Sequence, residues 1–543
     1  MLKFLVFEGD EPAGDWPLRN TYLLGGDGTP VMRGEVSFEA GAIIAEKREA
    51  GAAALVLQHE VAELGELTLQ TCLLPERDDA YLLSVELARH RVMLLYTHLE
   101  EWGLFELEPE HPVAQRTEEA RRLFIEALSV AGEDVLAAER LARQSLAIAL
   151  DASEELALTH SQILLNRRRR SGTMPAQAIG CVAPFEMSSD RVLRQALPGH
   201  VDFLHLPTPW KTLAPEEGDY NWAVMDAWVR WARRQEMPIV AGPLLSFDTF
   251  NLPDWLFIWE HDYETVRDLA YEHIDRVVTR YKDHVQTWYV ASGLHLNRHI
   301  AFNFEQLMEL TRMAAMRVKK VAPKAKTVIE LREPFGEYYA GNARSIPPLT
   351  YADLVVQAQI NFDAFGLQYL MGQAQPGQYA RDLMQVSTLI EHYLGFGKPV
   401  HFTAGAPSEP VTQVMIADPD ASEPVDDNSG YWRRPWSGQV QGHWLEAVFQ
   451  VALSKPGIES VTWQEFKDHP AMALPLSGLM SEALEPKEAF GRLISFRKSL
   501  TADAETTTLS DPTPASEGEG EAKPDEPRAS DAEVEGRATD EHR

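Results

Sequence analysis

From residue 175 onward, short apolar runs alternate with longer amphipathic segments, and this alternation most restricts the fold. It predicts parallel strands joined by helical crossovers, because a tight turn cannot connect two parallel neighbours. Helical patterns occur, for example, at 263–282 and 304–321. A first strand is expected at 178–181, followed by strands at 201–206, 238–245, 285–291, 327–331, 364–370, 400–403 and 458–463. Eight strand–helix units predict a (β/α)8 barrel, over residues 173–500, with its site at the carboxyl ends of the strands.

Short motifs follow one another in a fixed order along the proposed barrel. They are AIGC at 178–181, PEEGDYNW at 215–222, LPDW at 252–255, RYKDHV at 280–285, FDAFGLQ at 362–368 and PKEAF at 486–490. In this order and spacing they resemble the motifs of glycoside hydrolase family 10, the xylanase-type barrels. The likeness covers roughly residues 176–498. It implies the barrel fold and a relationship to O-glycosyl hydrolases of the endo-1,4-beta-xylanase type.

The same resemblance locates two catalytic positions at the ends of the fourth and seventh strands. WYVASG at 288–293 is similar to the family's W-D-V-V-N-E, so Gly293 stands at the acid position. PVHFTA at 399–404 is similar to the stretch with the T-E pair, so Ala404 stands at the nucleophile position. Retaining cleavage needs two carboxyl groups about 5–5.5 Å apart. The resemblance therefore implies a barrel without catalytic groups at the family positions. The positions that grip the sugar also differ, at Leu206, Pro243, Asp248 and Leu370.

Other carboxylates follow the fifth and eighth strands. Glu330 ends the fifth strand, Glu337 comes shortly after it, and Glu465 follows the eighth. Strands five and eight are three steps apart around the barrel, as are strands four and seven. Glu330 or Glu337 with Glu465 would therefore be a relocated catalytic pair, although partnership with Arg332 or Lys467 is the commoner role for such groups.

Several aromatic and amide side chains are expected at strand ends, where they could bind a sugar. Flat apolar rings with polar edges suit sugar stacking. Trp463 is the first candidate, because it matches the family's sugar-stacking tryptophan. The long connection at 406–439, rich in Pro, Asp and Gly, could close over the mouth as a lid. The predicted substrate-binding residues are Trp463, Gln368, Trp255, Tyr369, Trp432 and Trp436.

The remaining segments have different compositions. Residues 1–112 hold short apolar runs and turn signals and predict a small, mainly β domain, although the run at 92–96 could be helical. Residues 113–172 have apolar residues at helical spacing and predict a helical hairpin. Residues 501–543 hold 13 acidic and 4 basic residues with almost no large apolar ones, so a disordered acidic tail is expected.

Charge and composition exclude several partners. A formal net charge of −32 disfavours nucleic acid and anionic membranes. The 2 cysteines, Cys72 and Cys181, are too few for a disulfide framework. No apolar run is long enough to predict a membrane span. The first residues lack the pattern of a secretory signal, so a cytoplasmic location is expected. His295 and His299 lack the glutamate of a zinc-protease motif. No metal and no cofactor are therefore expected.

Three functions stay open at this point. The first is a catalytically impaired family 10-like barrel, a pseudoenzyme that binds an oligosaccharide or polysaccharide. The second is an active, endo-xylanase-like glycosyl hydrolase with relocated carboxylates. The third is an intracellular scaffold whose barrel mouth contacts a protein partner that the sequence does not identify.

Overall fold

The computed structural model describes residues 1–48, 51–104, 107–187, 190–411, 428–470 and 472–501. These residues belong to one compact unit. Most of the tail predicted at 501–543 lies outside the described residues. None of the helices in these ranges is long and apolar enough to cross a membrane.

Small, mostly antiparallel sheets form the N-terminal part of the chain, where the sequence predicts a mainly β domain. Their strands are β1 (Leu2–Leu5), β2 (Phe7–Glu8), β3 (Glu11–Pro12), β4 (Tyr22–Leu24), β5 (Glu35–Glu39), β6 (Ala42–Glu46), β7 (Ala54–Val61), β8 (Gly65–Gln70) and β9 (Tyr81–Leu82). One sheet has the order β5-β6-β1-β9, and β8-β7-β4 belong to another. Burial alternates along β1, which is the pattern of a strand with one face on the core.

Helices follow these sheets, beginning inside the segment predicted to be mainly β. Helix α1 (Leu83–Glu101) starts directly after β9 and includes the run at 92–96, for which the sequence left strand and helix open. Helices α2 (Pro112–Val130) and α3 (Val135–Arg170) form the predicted hairpin. Asp134 caps α3, because its carboxylate accepts from the backbone N–H of Ala137 at 2.9 Å. The boundaries proposed at 112 and 172 stay predictions.

Parallel strands close the barrel that the sequence predicts, with β10 hydrogen-bonded to both β11 and β18. The strands are β10 (Ile179–Val182), β11 (Phe203–Leu206), β12 (Ile239–Ala241), β13 (Thr287–Ser292), β14 (Lys326–Arg332), β15 (Ala364–Leu370), β16 (Val400–Gly405) and β18 (Ile458–Trp463). The helices are α4 (Arg191–Ala196), α5 (Trp210–Leu213), α6 (Ala223–Arg234), α7 (Tyr263–Tyr281), α8 (Phe304–Val321), α9 (Pro348–Gln357), α10 (Leu383–Leu394), α11 (Gly438–Ser454) and α12 (Glu488–Thr501). Most of the strands are buried throughout, as parallel strands under helices must be.

A short strand from the barrel's seventh connection joins the N-terminal sheet. Strand β17 (Tyr431–Trp432) pairs antiparallel with β8, opposite Glu66 and Gly65. Gly65 has a φ of +112°, and a Cβ there would lie 2.1 Å from the carbonyl oxygen of Tyr431, so only glycine allows this approach. The described part of the connection is thus held by the N-terminal sheet. Residues 412–427 lie outside the described residues.

Candidate functional site

A cavity of about 560 Å³ opens at the carboxyl ends of the barrel strands, where barrel sites form. Polar side chains from several strands line its wall. They are His205 of β11, Ser292 of β13, Glu330 and Arg332 of β14, Gln368 of β15 and Thr403 of β16, with Gln464 and Glu465 just after β18. Two of the three carboxylates predicted as relocated catalysts, Glu330 and Glu465, are therefore in one cavity.

The end of the fourth strand carries no carboxylate. Neither β13 nor the next residue, Gly293, contains Asp or Glu. Gly293 has a left-handed backbone with a φ of +63°. A Cβ at this position would lie 2.9 Å from Cδ of Arg332, inside normal contact distance. The arginine side chain thus stands where a side chain of residue 293 would begin.

The seventh strand also carries no carboxylate, because β16 reads VHFTAG. Thr403 lines the cavity. Since successive side chains of a strand point to opposite faces, Ala404 points away from it. Ala404 is fully buried, in register with Tyr369 and Trp463 of the two neighbouring strands. Ala404, at the position that the family resemblance assigns to the nucleophile, therefore has its side chain on the outer face of the strand.

A row of hydrogen-bonded side chains crosses the mouth from the third strand connection to the eighth strand. Arg332 donates from Nη1 to Oδ2 of Asp248 at 2.6 Å and from Nε to Oε1 of Gln368 at 3.0 Å. Gln368 donates from Nε2 to Oε1 of Gln464 at 3.2 Å. Burial alone would raise the pKa of Asp248, but Arg332 and hydrogen bonds from Ser246 and Asn251 hold that pKa below its usual value. The row fixes Arg332 in place.

Glu330 is buried in the cavity wall beside this row. Its Oε2 accepts a hydrogen bond from Oγ of Ser292 at 2.6 Å. Burial raises the pKa of Glu330 to about 6, against the lowering effects of Ser292 and Arg332. This carboxyl group therefore changes charge close to neutral pH, which suits a proton donor or acceptor.

Glu465 lies on another part of the wall, next to a histidine. Its Oε2 is 3.3 Å from Nε2 of His469. Burial raises the pKa of Glu465, although His469 opposes the rise. Burial alone would lower the pKa of His469, but its contact with Glu465 raises it above its usual value. The two groups form a partly buried acid–base pair.

Glu337, the third predicted carboxylate, is not in the cavity. It is buried in an ion pair with Arg381 and also accepts from the backbone N–H of Gly377. Nδ2 of Asn20, from the N-terminal sheet region, donates to it at 3.1 Å. The interpretation of Glu337 as a catalytic group is therefore wrong, because its oxygen atoms hold the N-terminal part against the barrel.

Trp463 is also placed differently from its prediction. It is fully buried, donates from Nε1 to the carbonyl oxygen of Ser477 at 2.7 Å, and packs edge-on against Trp444 and Phe449. Tyr369 is equally buried and stacks on Trp444. Neither ring presents a face to the cavity. The predictions that Trp463 and Tyr369 bind sugar are therefore wrong, because both side chains point outward from the barrel and pack under its helices.

The predicted lid tryptophans are buried as well. Trp432 donates from Nε1 to Oε1 of Glu154 at 2.6 Å, and Trp436 donates to the carbonyl oxygen of Gly430 at 3.0 Å. They fasten the seventh connection to α3 and to itself, so the prediction that they cover the mouth is wrong. Trp255 is half-buried and donates to the carbonyl oxygen of Ala214 at 2.9 Å, outside the cavity wall. Among the predicted binding residues, Gln368 alone lines the cavity.

Phe250 and His205 are among the wall residues that were not predicted. Phe250 is 49% exposed and lines the rim. His205 is buried in the floor, with Nε2 at 3.2 Å from the carbonyl oxygen of Gly242. Phe203 and His205 are two positions apart on a buried strand, so their side chains share one face. This spacing could have predicted that the histidine points into the barrel. No group of three or more His, Cys, Asp and Glu side chains in the described ranges is arranged to hold a metal.

These features define the class of the protein: a (β/α)8 barrel with a polar cavity at the carboxyl ends of its strands. Residues 207–328, within the barrel, match the family model described as Glycosyl hydrolase family 10. The match confirms the family resemblance predicted from the motifs. No curated protein matches the chain.

Solved structures of xylanases are also similar to the chain. Native xylanase 10B from Thermotoga maritima is 16% identical, over 62% of this chain and 98% of that one, with a TM-score of 0.44. Xylanase 10B from Thermotoga petrophila RKU-1, solved in complex with xylobiose, is 16% identical over 62% and 97%, with a TM-score of 0.42. Endo-1,4-beta-xylanase from Caldicellulosiruptor owensensis is 19% identical over 60% and 98%, with a TM-score of 0.43.

Proposed function

We propose that the chain binds an oligosaccharide in the barrel mouth and does not hydrolyse it by the mechanism of family 10. The observation that carries this proposal is the pairing of Gly293 with Arg332. The Arg332 side chain, held by Asp248, has its Cδ within 2.9 Å of the Cβ that an acid at residue 293 would need. The seventh strand contributes Thr403 to the cavity, and a hydroxyl cannot replace a carboxylate nucleophile here without a base to activate it.

The cavity itself supports binding. Its volume of about 560 Å³ is in the range of small-molecule sites, and its wall combines convergent polar groups with apolar side chains such as Pro207 and Pro243. Phe250, half exposed on the rim, offers the flat apolar surface that sugar rings stack on. Xylobiose, which is bound in the Thermotoga petrophila structure, is the natural first probe.

The test is binding and turnover measured on one preparation. Calorimetry with xylobiose and xylohexaose should show saturable binding. Incubation with xylan and with aryl xylosides should release no reducing sugar or phenol above the blank. Steady release of product would overturn the proposal. A folded protein that binds no glycan on a broad array would favour the protein-scaffold function instead.

An active hydrolase with relocated carboxylates is the second candidate, favoured by one observation. Glu330 and Glu465 line the same cavity, and burial brings the pKa of Glu330 to about 6, as in a general acid. If turnover is found, Glu330→Gln and Glu465→Gln should each abolish it. Glu482→Gln, at an exposed position of the same wall, is the matched control and should retain it. Turnover that survives both substitutions would exclude this pair.

A further inference from the structure

The cavity is lined by a buried histidine, His205, that has one hydrogen-bond acceptor without a partner. Nε2 of His205 faces the carbonyl oxygen of Gly242, which cannot donate, so Nε2 carries the proton. Nδ1 is then a lone-pair acceptor. It is buried and has no hydrogen-bond partner among the residues that the structure describes. Burial lowers the pKa of His205 to about 4, so the ring is neutral at pH 7. A buried acceptor of this kind calls for a donor.

Three side chains of the wall donate hydrogen bonds to other residues of the wall. Ser292 donates to Glu330, Arg332 donates to Asp248 and Gln368, and Gln368 donates to Gln464. Two of these bonds end on the carboxylates of Glu330 and Asp248 and two on the amide oxygens of Gln368 and Gln464, and each acceptor oxygen keeps a further lone pair. These donors are therefore engaged within the wall, while the acceptors keep lone pairs for a ligand.

The formal charges of the wall are mainly negative. Arg332 and Lys467 are the wall's Lys and Arg residues, and Arg332 is paired with Asp248. Asp468 is paired with Lys487 at 2.5 Å, and Glu465 with His469. The carboxylates of the wall are Glu186, Asp248, Glu330, Glu465, Asp468 and Glu482. After these pairs are counted, the excess is negative, in a cavity with low-dielectric walls and a chain of net charge −32.

We propose that the mouth cavity selects an amine-bearing saccharide unit over a neutral one and rejects a uronic acid. The inference rests on the proposed glycan binding and specifies its ligand class. An ammonium group supplies donors to unsatisfied acceptors and is attracted by the unpaired carboxylates. A neutral sugar supplies hydroxyl donors alone. A sugar carboxylate supplies no donor to the unpartnered acceptor, and its charge is repelled by the unpaired carboxylates.

The experiment compares three probes that share one ring: methyl β-glucosaminide, methyl β-glucoside and methyl β-glucuronide. Dissociation constants come from ligand-observed NMR at pH 7.5 in 50 mM salt. The amine is expected to bind about tenfold tighter than the neutral glycoside, and the acid more weakly than either. At 500 mM salt the preference should narrow, because charge attraction is screened.

Three outcomes overturn the inference alone, and a fourth also overturns the proposed function. Equal or weaker binding of the amine than of the neutral glycoside refutes it while leaving glycan binding intact, and so does binding of xylobiose without any of the three probes. Binding of the acid at least as tight as that of the neutral glycoside refutes it in the same way. Failure of all these sugars, xylobiose included, refutes the proposed function together with the inference.

Variants test the groups that carry the argument. His205→Phe should weaken the amine and the neutral glycoside alike, by about fivefold to tenfold. His273→Phe is the matched control: His273 is fully buried with an unpartnered ring nitrogen, but it lies on α7 outside the cavity wall. Its substitution should leave the dissociation constants unchanged.

A second variant does not depend on core packing. Glu186 and Glu482 are exposed on the rim, so Glu186→Gln with Glu482→Gln should fold normally. It should reduce the preference for the amine and leave the affinity for the neutral glycoside unchanged. An undiminished preference in this double variant would contradict the role given to the wall's charge.

Discussion

Arg332 occupies the space into which a side chain at Gly293 would extend, with its Cδ 2.9 Å from the ideal Cβ position. The arginine cannot move aside freely, because Asp248 and Gln368 hold its guanidinium group on two sides. The identity of residue 293 and the position of Arg332 are thus coupled. The consequences for stability and for attempts to restore catalysis can be measured.

Gly293→Ala should lower the free energy of unfolding by about 2–4 kcal/mol, combining left-handed backbone strain with overpacking against Arg332. Gly199→Ala is the matched control, because Gly199 has a φ of +80° but no atom within 4 Å of its ideal Cβ. It should cost only the backbone strain, about 1–2 kcal/mol. Urea unfolding of both variants provides the comparison, and equal losses would show that Arg332 yields without cost.

Restoring the family glutamates should not create a xylanase. In Gly293→Glu the new side chain must displace Arg332. In Ala404→Glu it enters the outer, fully buried face of β16 and leaves a charge without a partner. The double variant should unfold at lower temperature than the parent and release no reducing sugar from xylan. Robust xylanase activity with unchanged melting would show that both side chains reach the cavity.

Glu330→Gln should change how stability depends on pH. The folded-state pKa of Glu330, about 6, lies above its usual value of 4.5. The stability associated with the protonated form is therefore present below pH 4.5 and is lost as pH rises through 6, by about 2 kcal/mol. The amide does not titrate, so the variant does not lose this stability. Its free energy of unfolding relative to that of the parent should therefore rise by about 2 kcal/mol between pH 4.5 and pH 7.5. Glu264→Gln, exposed on α7, should show no such gain.

Much of this barrel could be predicted from sequence because its strands are short, buried and separated by helices. The predicted strand at 364–370 matches β15. The third strand was predicted too long, at 238–245, whereas β12 ends at Ala241. Gly242 then takes a φ of +134° and Pro243 has no N–H to donate, so the strand cannot continue. The apolar residues continue past Ala241, so the apolar pattern alone did not predict where the strand ends.

The site was harder to predict, because it depends on which face of a strand each side chain takes. A shift of one residue along a strand moves a side chain from the cavity to the core under the helices, as Thr403 and Ala404 show. The burial of Trp463 follows from the same alternation. The location of Glu337 depends on Arg381 and Asn20, which are distant in sequence, and no local pattern reports such contacts.

Phe250→Ala should weaken xylohexaose binding by about 1–1.5 kcal/mol, roughly tenfold in Kd, since the rim ring is the exposed aromatic surface of the cavity. Ile258→Ala, 79% exposed in the same connection but outside the cavity wall, is the control and should bind normally. Trp463→Ala should instead destabilise the fold by about 3–5 kcal/mol, as loss of a core aromatic does. Calorimetry with thermal melting separates the two effects, and unchanged binding by Phe250→Ala would exclude the platform.

Arg381→Met should be strongly destabilising, by about 3–5 kcal/mol, because it leaves the buried carboxylate of Glu337 without its cation. Arg381→Met combined with Glu337→Gln should recover part of the loss, since no buried charge remains unpaired. Chemical unfolding of the single and double variants measures this coupling. Additive losses would mean that the two side chains do not depend on each other.

The pairing of β17 with β8 makes the barrel's seventh connection an edge strand of a sheet that begins more than 350 residues earlier in the chain. A fragment cut near residue 172 would not be a smaller version of the same barrel. It would carry a bare strand edge at Tyr431 and Trp432, and it would lose Glu154, the acceptor for the Trp432 indole. Bare edges recruit other chains. The first third of the sequence therefore covers this strand edge, and any engineered form of the barrel has to retain it.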